Sequence, residues 1–205
     1  MVFRAASAYL LGRPDSLSEC RPRRGQDVEE AGKESPCEKK KIQKKMNTSF
    51  ERTDKTTDEW YTPIEIINSL GVFDLDPCAP MKPLWNTAKV MYNKEDDGLQ
   101  QNWKGRVWLN PPYSHPVIDQ FIKKMVAHNN GIALLFNRMD SGLFQDIVLK
   151  NAVSMKILRK RIRFYRPDGS QGGSPGCGSI LFAFGKENDE ILRANNLDGV
   201  YIKIR

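Results

Sequence analysis

Asn110-Pro111-Pro112-Tyr113 is the segment whose residue types and order suit a definite chemistry. The nitrogen of an exocyclic amine on a planar ring is a weak nucleophile, because its lone pair is delocalised into the ring. Two acceptors aimed at its two N–H bonds draw it toward tetrahedral geometry and free that lone pair. The Asn110 side-chain oxygen and the Pro111 main-chain carbonyl are acceptors of this kind. Proline brings no competing N–H donor, and its fixed φ stiffens the loop. Such catalysis rests on pre-organised polar groups rather than on a strong base. Tyr113 offers a ring for a nucleobase taken out of its duplex, a stacking contact worth ~1–3 kcal/mol. The competing reading is a proline turn with an incidental aromatic. Four specified residues in this order arise by chance about once per thousand chains of this size at average usage.

These residues need a frame to hold them. Arg106 to Leu109 reads as a strand that delivers Asn110 at its end, and Val72-Phe73-Asp74-Leu75-Asp76 reads as another. Thr62-Pro63-Ile64-Glu65 reads as a helix start, with Thr62 as N-cap, Pro63 at the first helical position and Glu65 closing a capping box. Ile64, Ile67 and Leu70 mark its apolar side, and Gly71 stops it. Pro116 to His128 carries Val117, Ile118, Phe121, Ile122, Met125 and Val126 at helical spacing. Gly131 to Phe136 reads as a strand buried on both faces. A helix from Ser141 to Asn151 follows, then strands Ser154–Leu158 and Ser179–Phe184, a helix from Glu187 to Asn195 and a last strand, Val200–Ile204. This alternation predicts an α/β fold with a mostly parallel sheet. Ligands in such sheets bind at the carboxyl ends of the strands, where Asp76 and Asn110 both stand.

Several strings are similar to one family when taken together. They are Asp58-Glu59-Trp60-Tyr61-Thr62-Pro63, Phe73-Asp74-Leu75-Asp76-Pro77-Cys78-Ala79, Asp96-Asp97-Gly98-Leu99 and Trp108-Leu109-Asn110-Pro111-Pro112-Tyr113. Arg161-Ile162-Arg163-Phe164 and Gly178 to Gly185 continue the pattern. Over about residues 58–185 the chain resembles the phage-type DNA N6-adenine methyltransferases. The resemblance implies a Rossmann-like S-adenosylmethionine-dependent methyltransferase fold. It also implies an adenine-specific, site-specific DNA methyltransferase of phage or prophage origin, with S-adenosyl-L-methionine as methyl donor and double-stranded DNA as partner. The Thr62-Pro63 element and the acidic end of the first strand are implied to hold the cofactor. The residue types agree: a helix starting at Pro63 offers N–H groups to a carboxylate, and Asp76 ends its strand, where a carboxylate can accept from cofactor donors. Asp74 lies on the same side two residues earlier, so either can serve. Asp97 is a further candidate, or part of a simple Asp-Asp-Gly turn. Asp76-Pro77-Cys78-Ala79-Pro80 lacks the glycine-rich loop with which many methyltransferases follow their first strand. Other planar amines, a protein glutamine or an RNA base, suit the same loop, and a DNA-binding module without turnover is the reading from another class.

Charge bounds the partner. The net charge is +7, but residues 1–50 hold 11 Lys/Arg against 7 Asp/Glu, and residues 51–205 hold 21 against 18. The part that folds is only mildly basic, so global charge argues weakly for nucleic acid. The local signal is stronger: Lys156, Arg159, Lys160, Arg161, Arg163 and Arg166 fall within eleven residues, interleaved with Phe164 and Tyr165 and followed by the glycine-rich loop Pro167–Gly178. Arg159, Lys160, Arg161 and Arg163 are the candidates for DNA phosphate contact, against a charged strand edge that resists aggregation. Cys20, Cys37, Cys78 and Cys177 form no close pair, and with His115 and His128 the only histidines no zinc site is expected. No apolar run reaches the ~18 residues of a membrane span, and no signal-peptide layout is present. The expectation is a cytoplasmic monomer, without metal or membrane, acting in a bacterial host. Residues 1–55 are expected to be a disordered basic tail or an upstream extension, with Met46 as a candidate start. Residues 56–186 form the adenine-methyltransferase domain, and 187–205 add a helix and short strand to it.

Overall fold

The computed structural model describes residues 59–205; the expected tail and Met46 lie outside the described residues. A seven-stranded sheet forms the middle layer. Its strands are β1 (Leu75–Asp76), β2 (Val90–Met91), β3 (Val107–Leu109), β4 (Gly131–Phe136), β5 (Ser154–Leu158), β6 (Ser179–Phe184) and β7 (Gly199–Lys203), in the order β2-β1-β3-β4-β6-β5-β7. The helices are α1 (Ile64–Ser69), α2 (Val117–His128), a π-helical segment (Leu143–Val148) that ends in the single turn α3 (Leu149–Asn151), and α4 (Lys186–Ala194).

Alternation along the strands sorts the apolar side chains to two faces. Val107, Leu109, Ala133, Leu135, Ile180 and Phe182 face one way, where Phe121, Ile122 and Met125 of α2 and Phe144 and Val148 of the π-helical segment cover them. Trp108, Ile132, Leu134, Leu181 and Ala183 face the other, against Ile67, Leu70 and Leu192 from α1, its end and α4. Because both faces are covered, β4 and, after Ser179, β6 are apolar runs, and their bounds match those expected from the sequence.

The sheet is mixed, which corrects the expectation of a mostly parallel one. β1 pairs parallel with β2 and β3, and β3 with β4. The three junctions of β4 with β6, β5 with β6 and β5 with β7 are antiparallel and carry the longer ladders. Parallel neighbours need a crossover, usually a helix. α2 supplies it between β3 and β4, whereas residues 159–178 between β5 and β6 contain no helix, and the chain returns antiparallel. The first strand is also shorter than expected. Ahead of it, Asp74 accepts the Arg106 N–H on its carboxylate (2.8 Å), and the N–H groups of Asp74 and Leu75 both donate to the Arg106 carbonyl. β2 has only two residues, too few to alternate.

Arg106 is buried and ties α4 to the amino ends of the central strands. Its Nε donates to Asn188 Oδ1 at 2.6 Å and its Nη1 to the Val72 carbonyl at 3.0 Å. The guanidinium lies 4.1 Å from the centroid of the Phe73 ring. Asn188 in turn donates to the Phe184 carbonyl and to Asn130 Oδ1, just before β4. Arg106→Ala leaves Asn188 and the Val72 carbonyl without these partners. Two lost bonds to a charged group cost ~1.5–3 kcal/mol each, so calorimetry should show a thermal midpoint lowered by roughly 6–24 °C for a domain of this size. A shift under about 2 °C would mean that the network does not hold the layers together.

Candidate active site

β1 and β3 run parallel side by side, so the residues that follow them emerge at the same rim of the sheet. Asn110 leaves β3 there, and Asp76 ends β1 there. The Asn110 amide is held at one end only. Its Nδ2 donates to Thr62 Oγ1 at 3.3 Å, and Thr62 is buried. Its Oδ1 is buried as well and accepts no hydrogen bond from the described residues. A buried acceptor without a donor costs ~1–3 kcal/mol, so its presence calls for a reason. Pro111 is buried behind it and Pro112 is exposed.

Tyr113 is built against β4. Its hydroxyl donates to the Leu134 carbonyl at 3.2 Å, and its ring stacks on Phe136 with centroids 4.1 Å apart and planes 20° apart. The Phe164 ring meets Phe136 edge-on at 6.1 Å. Burial of the hydroxyl end pushes the phenol pKa well up, while the residue as a whole stays 36% exposed.

Asp76 is buried, and both its partners are neutral. Oδ1 accepts the Cys78 N–H at 2.9 Å and Oδ2 accepts the Thr87 hydroxyl. Burial pushes its pKa up to about 6 against the pull of these two hydrogen bonds. The same burial, with the Asp76 charge, raises the Cys78 thiol. Asp74 is in a different setting. Its carboxyl accepts the Arg106 N–H and pairs with Lys89 at 2.8 Å, and these hold its pKa below the ordinary value. A cleft of about 270 Å³ beside Asp74 is lined also by Tyr92, Asn102 and Lys104. Asp76, Asn110 and Tyr113 are not among its walls, so it is not where the rim residues meet.

Two local expectations are corrected. Thr62 does not cap α1: Pro63 occupies the N-cap position, no side-chain cap bond forms, and the helix has six residues. The Thr62 hydroxyl is drawn instead to Asn110, a tertiary partner that replaces the local one. With so short a helix the argument for an anion at Pro63 from the helix dipole loses its basis. Lys156 is not on a cationic surface. It is 5% exposed and donates to the carbonyl and Oδ1 of Asn195.

Asp97 shapes a turn. Its φ is +49°, its carboxylate accepts the Leu99 N–H, and its carbonyl accepts the Gln100 N–H. The turn nevertheless touches the loop after β1: a Cβ on Gly98 would lie 2.1 Å from the Pro77 carbonyl oxygen. Lys124 of α2, which sequence reasoning missed, secures this segment by donating to the carbonyls of Leu99 and Gln101. A lysine on an amphipathic helix gives no signal of such a role. Trp85 was missed too. It sits edge-on to Tyr165 at 5.2 Å and to Tyr61 at 6.4 Å, and its Nε1 donates to the Thr62 carbonyl at 3.1 Å.

The remaining basic residues divide. Arg159 pairs with Asp198 at 2.9 Å, Arg161 donates to the Pro175 carbonyl at 2.9 Å, and Arg166 lies 5.7 Å from the Trp60 ring centroid. Lys160 and Arg163 are exposed. The loop between Pro167 and Gly178 is partly a built turn, in which Ser170 bonds Asp168 and Arg166 and Gly172 packs on Trp60. His115 is exposed beside Asp119, and His128 bonds the Gly105 carbonyl at the end of α2. Among the described residues, Cys78 is a free thiol, no group of His, Cys, Asp and Glu could hold a metal ion, and no helix is long and apolar enough to cross a membrane.

Known proteins match along the same stretch. The family model described as DNA N-6-adenine-methyltransferase (Dam) matches residues 49–198. A DNA N-6-adenine-methyltransferase of Escherichia phage T1 is 38% identical over 91 residues, covering 40% of this chain and 37% of that protein. A DNA N-6-adenine-methyltransferase of Haemophilus phage HP1 (strain HP1c1) is 34% identical over 130 residues, covering 58% of this chain and 71% of that protein. No solved structure matches the chain. The family match runs in one span through α1, both rim residues, β6 and α4, and so this chain belongs to the adenine-specific DNA N-6-adenine-methyltransferase (Dam) family.

Proposed function

We propose that the chain transfers a methyl group from S-adenosyl-L-methionine to N6 of an adenine taken out of double-stranded DNA, and that the rim of a Rossmann-like methyltransferase sheet is the site. The observation that carries this reading is the buried Asn110 Oδ1, an acceptor that no described residue satisfies. An amine N–H is the donor it suits. Asn110 Oδ1 and the Pro111 carbonyl accept the two N6–H bonds, draw the nitrogen toward tetrahedral geometry and leave its lone pair directed away from them. Pro112 stiffens the loop. Tyr113, backed by Phe136, offers its ring to the extruded base. As the N–CH₃ bond forms, the methyl's bond to the sulfonium sulfur would break and leave a neutral thioether; the nitrogen then loses one proton to water, and no tuned base is needed.

Asp76 supports the cofactor assignment. A buried carboxylate with only neutral partners is costly, and a cationic ligand offsets that cost. Its two hydrogen bonds also leave acceptor positions on both oxygens. S-adenosyl-L-methionine, when bound, supplies a methyl group on a sulfonium and carries an ammonium and ribose hydroxyls as donors. Asp76 would accept from those donors, and the Asp97 turn, in contact with Pro77, would border the same loop. Asp74, Thr62 and Pro63 are weaker cofactor ligands, since Asp74 is paired with Lys89 and Thr62 with Asn110. For DNA, Lys160 and Arg163 are the exposed phosphate contacts, with Arg159 and Arg161 beside them. The names of the two phage relatives favour DNA over RNA or protein as substrate.

Three outcomes follow. Asn110→Ala should lower single-turnover methylation of adenine-containing duplex by about 10²–10³, as loss of one pre-organised polar group does elsewhere; a rate within threefold of wild type in a tritium-transfer assay would remove Asn110 from the chemistry. The Asp76 carboxyl is raised in the folded state, so its charged form is disfavoured by folding. Its cost to stability is complete above pH about 6 and is relieved as the pH falls toward the unfolded value. Cofactor binding runs the other way, because protonation removes the acceptor charge. Calorimetric affinity for S-adenosylhomocysteine should weaken as the pH drops through about 6 in the wild type and not in Asp76→Asn; parallel profiles for the two would contradict the assignment. Replacing Lys160 and Arg163 together by Ala should reduce the slope of log K against log salt by about two, and an unchanged slope would place the DNA elsewhere.

A further inference from the structure

The structure assigns Thr62 a role at the reacting end of the site: we propose that it is a positioning residue, which holds the Asn110 amide plane so that Oδ1 faces the amine to be methylated. The inference rests on the proposed function above and goes beyond it to a residue outside the Asn-Pro-Pro-Tyr loop.

A side-chain amide rotates about its last bond and presents a donor edge at one end and an acceptor at the other. If the Asn110 amide turned, Nδ2 would meet the N–H groups of the amine, donor against donor. In the fold Thr62 Oγ1 accepts from Nδ2 at 3.3 Å, which fixes the nitrogen end of the amide on the protein. Oδ1 is left at the other end, buried and without a protein donor among the described residues. One end of the amide is thus satisfied within the fold and the other is not.

Thr62 is itself held on three sides. Its carbonyl accepts Trp85 Nε1 at 3.1 Å. Tyr61, just before it, pairs with Tyr165 through two main-chain hydrogen bonds of 3.0 and 2.9 Å. Pro63, just after it, has restricted backbone freedom. A β-branched side chain on so fixed a backbone has few rotamers open to it. The unused capping position at α1 fits the same picture, because the hydroxyl is engaged in a tertiary bond. Trp85 belongs to the loop that follows β1, so one chain of contacts runs from the Asp76 loop through Trp85 and Thr62 to Asn110.

The test compares Thr62→Val, which keeps the shape and removes the hydroxyl, with Thr62→Ser, which keeps the hydroxyl. Single-turnover rates on adenine-containing duplex, calorimetric affinity for S-adenosylhomocysteine and thermal midpoints are measured for both, each also combined with Asn110→Ala. The expected result is a rate lowered about 10- to 100-fold in Thr62→Val, since small misplacement of a reacting group has costs of that order. Affinity for S-adenosylhomocysteine should stay within about twofold, and Thr62→Ser should recover most of the rate. In the Asn110→Ala background Thr62→Val should cost almost nothing further, because residues acting through one contact are not additive. The proposal is overturned if Thr62→Val weakens S-adenosylhomocysteine binding tenfold while the saturated rate is unchanged, which would make Thr62 a cofactor ligand. It is also overturned if Thr62→Val slows wild type and Asn110→Ala by the same factor. If Asn110→Ala is itself fully active, the underlying reading fails and this one with it; if Asn110→Ala is crippled and Thr62→Val is not, only this one fails.

Discussion

An amide oxygen shut away from water without a hydrogen-bond donor is the constraint around which this molecule is arranged. Folding gains nothing from such a group, since a buried acceptor left unpaired costs ~1–3 kcal/mol. Asn110 nevertheless keeps its oxygen buried and unpaired among the described residues while its nitrogen is bound to Thr62. Stability is given up at this point in the fold, as is common where a site is pre-organised for a partner. The same holds one strand away, where Asp76 is buried between a hydroxyl and a main-chain N–H with its pKa raised to about 6. An acceptor suited to a neutral amine and a carboxylate suited to a cationic donor stand at one rim, on adjacent parallel strands.

The rest of the fold makes that rim rigid. Both faces of the sheet are covered by helices, and the central strands carry mostly apolar side chains between them. Arg106 joins α4 to the far ends of β3 and β4, so the strand that presents Asn110 is anchored at its other end. Lys124 gathers the carbonyls of the 98–101 segment, and Gly98 permits that segment to lie against Pro77. Tyr113 is fixed by its hydroxyl and one ring face to the end of β4. At the C-terminal edge, Asp189 of α4 binds Tyr201 and Lys203 of β7, which attaches the last strand to the helix beside it.

Much of this was legible in the sequence where one physical signal was unopposed. The runs Gly131–Phe136, Ser154–Leu158 and Ser179–Phe184 form the strands expected, and the spacing of apolar residues in Val117–His128 marked its buried side. The order Asn-Pro-Pro-Tyr after a strand pointed to the loop at the rim. What was hidden depended on partners distant in sequence. Thr62 reads as a cap because local chemistry favours it, but Asn110, 48 residues away, takes its hydroxyl. Lys156 reads as one of six clustered cations, yet its strand position carries it inward to Asn195. Arg106 reads as the first residue of a strand and proves to be a buried tie. The sense of the later strands was misjudged because periodicity does not state direction; only the lack of a helix between residues 159 and 178 does.

In a crystal structure of the protein with S-adenosylhomocysteine and a duplex that it methylates, the target adenine should lie outside the helix with its N6 within about 2.7–3.2 Å of Asn110 Oδ1, the range of an N–H···O hydrogen bond. An N6 more than about 4 Å from that oxygen, or bonded to other groups while the Asn110 amide points elsewhere, would contradict the account.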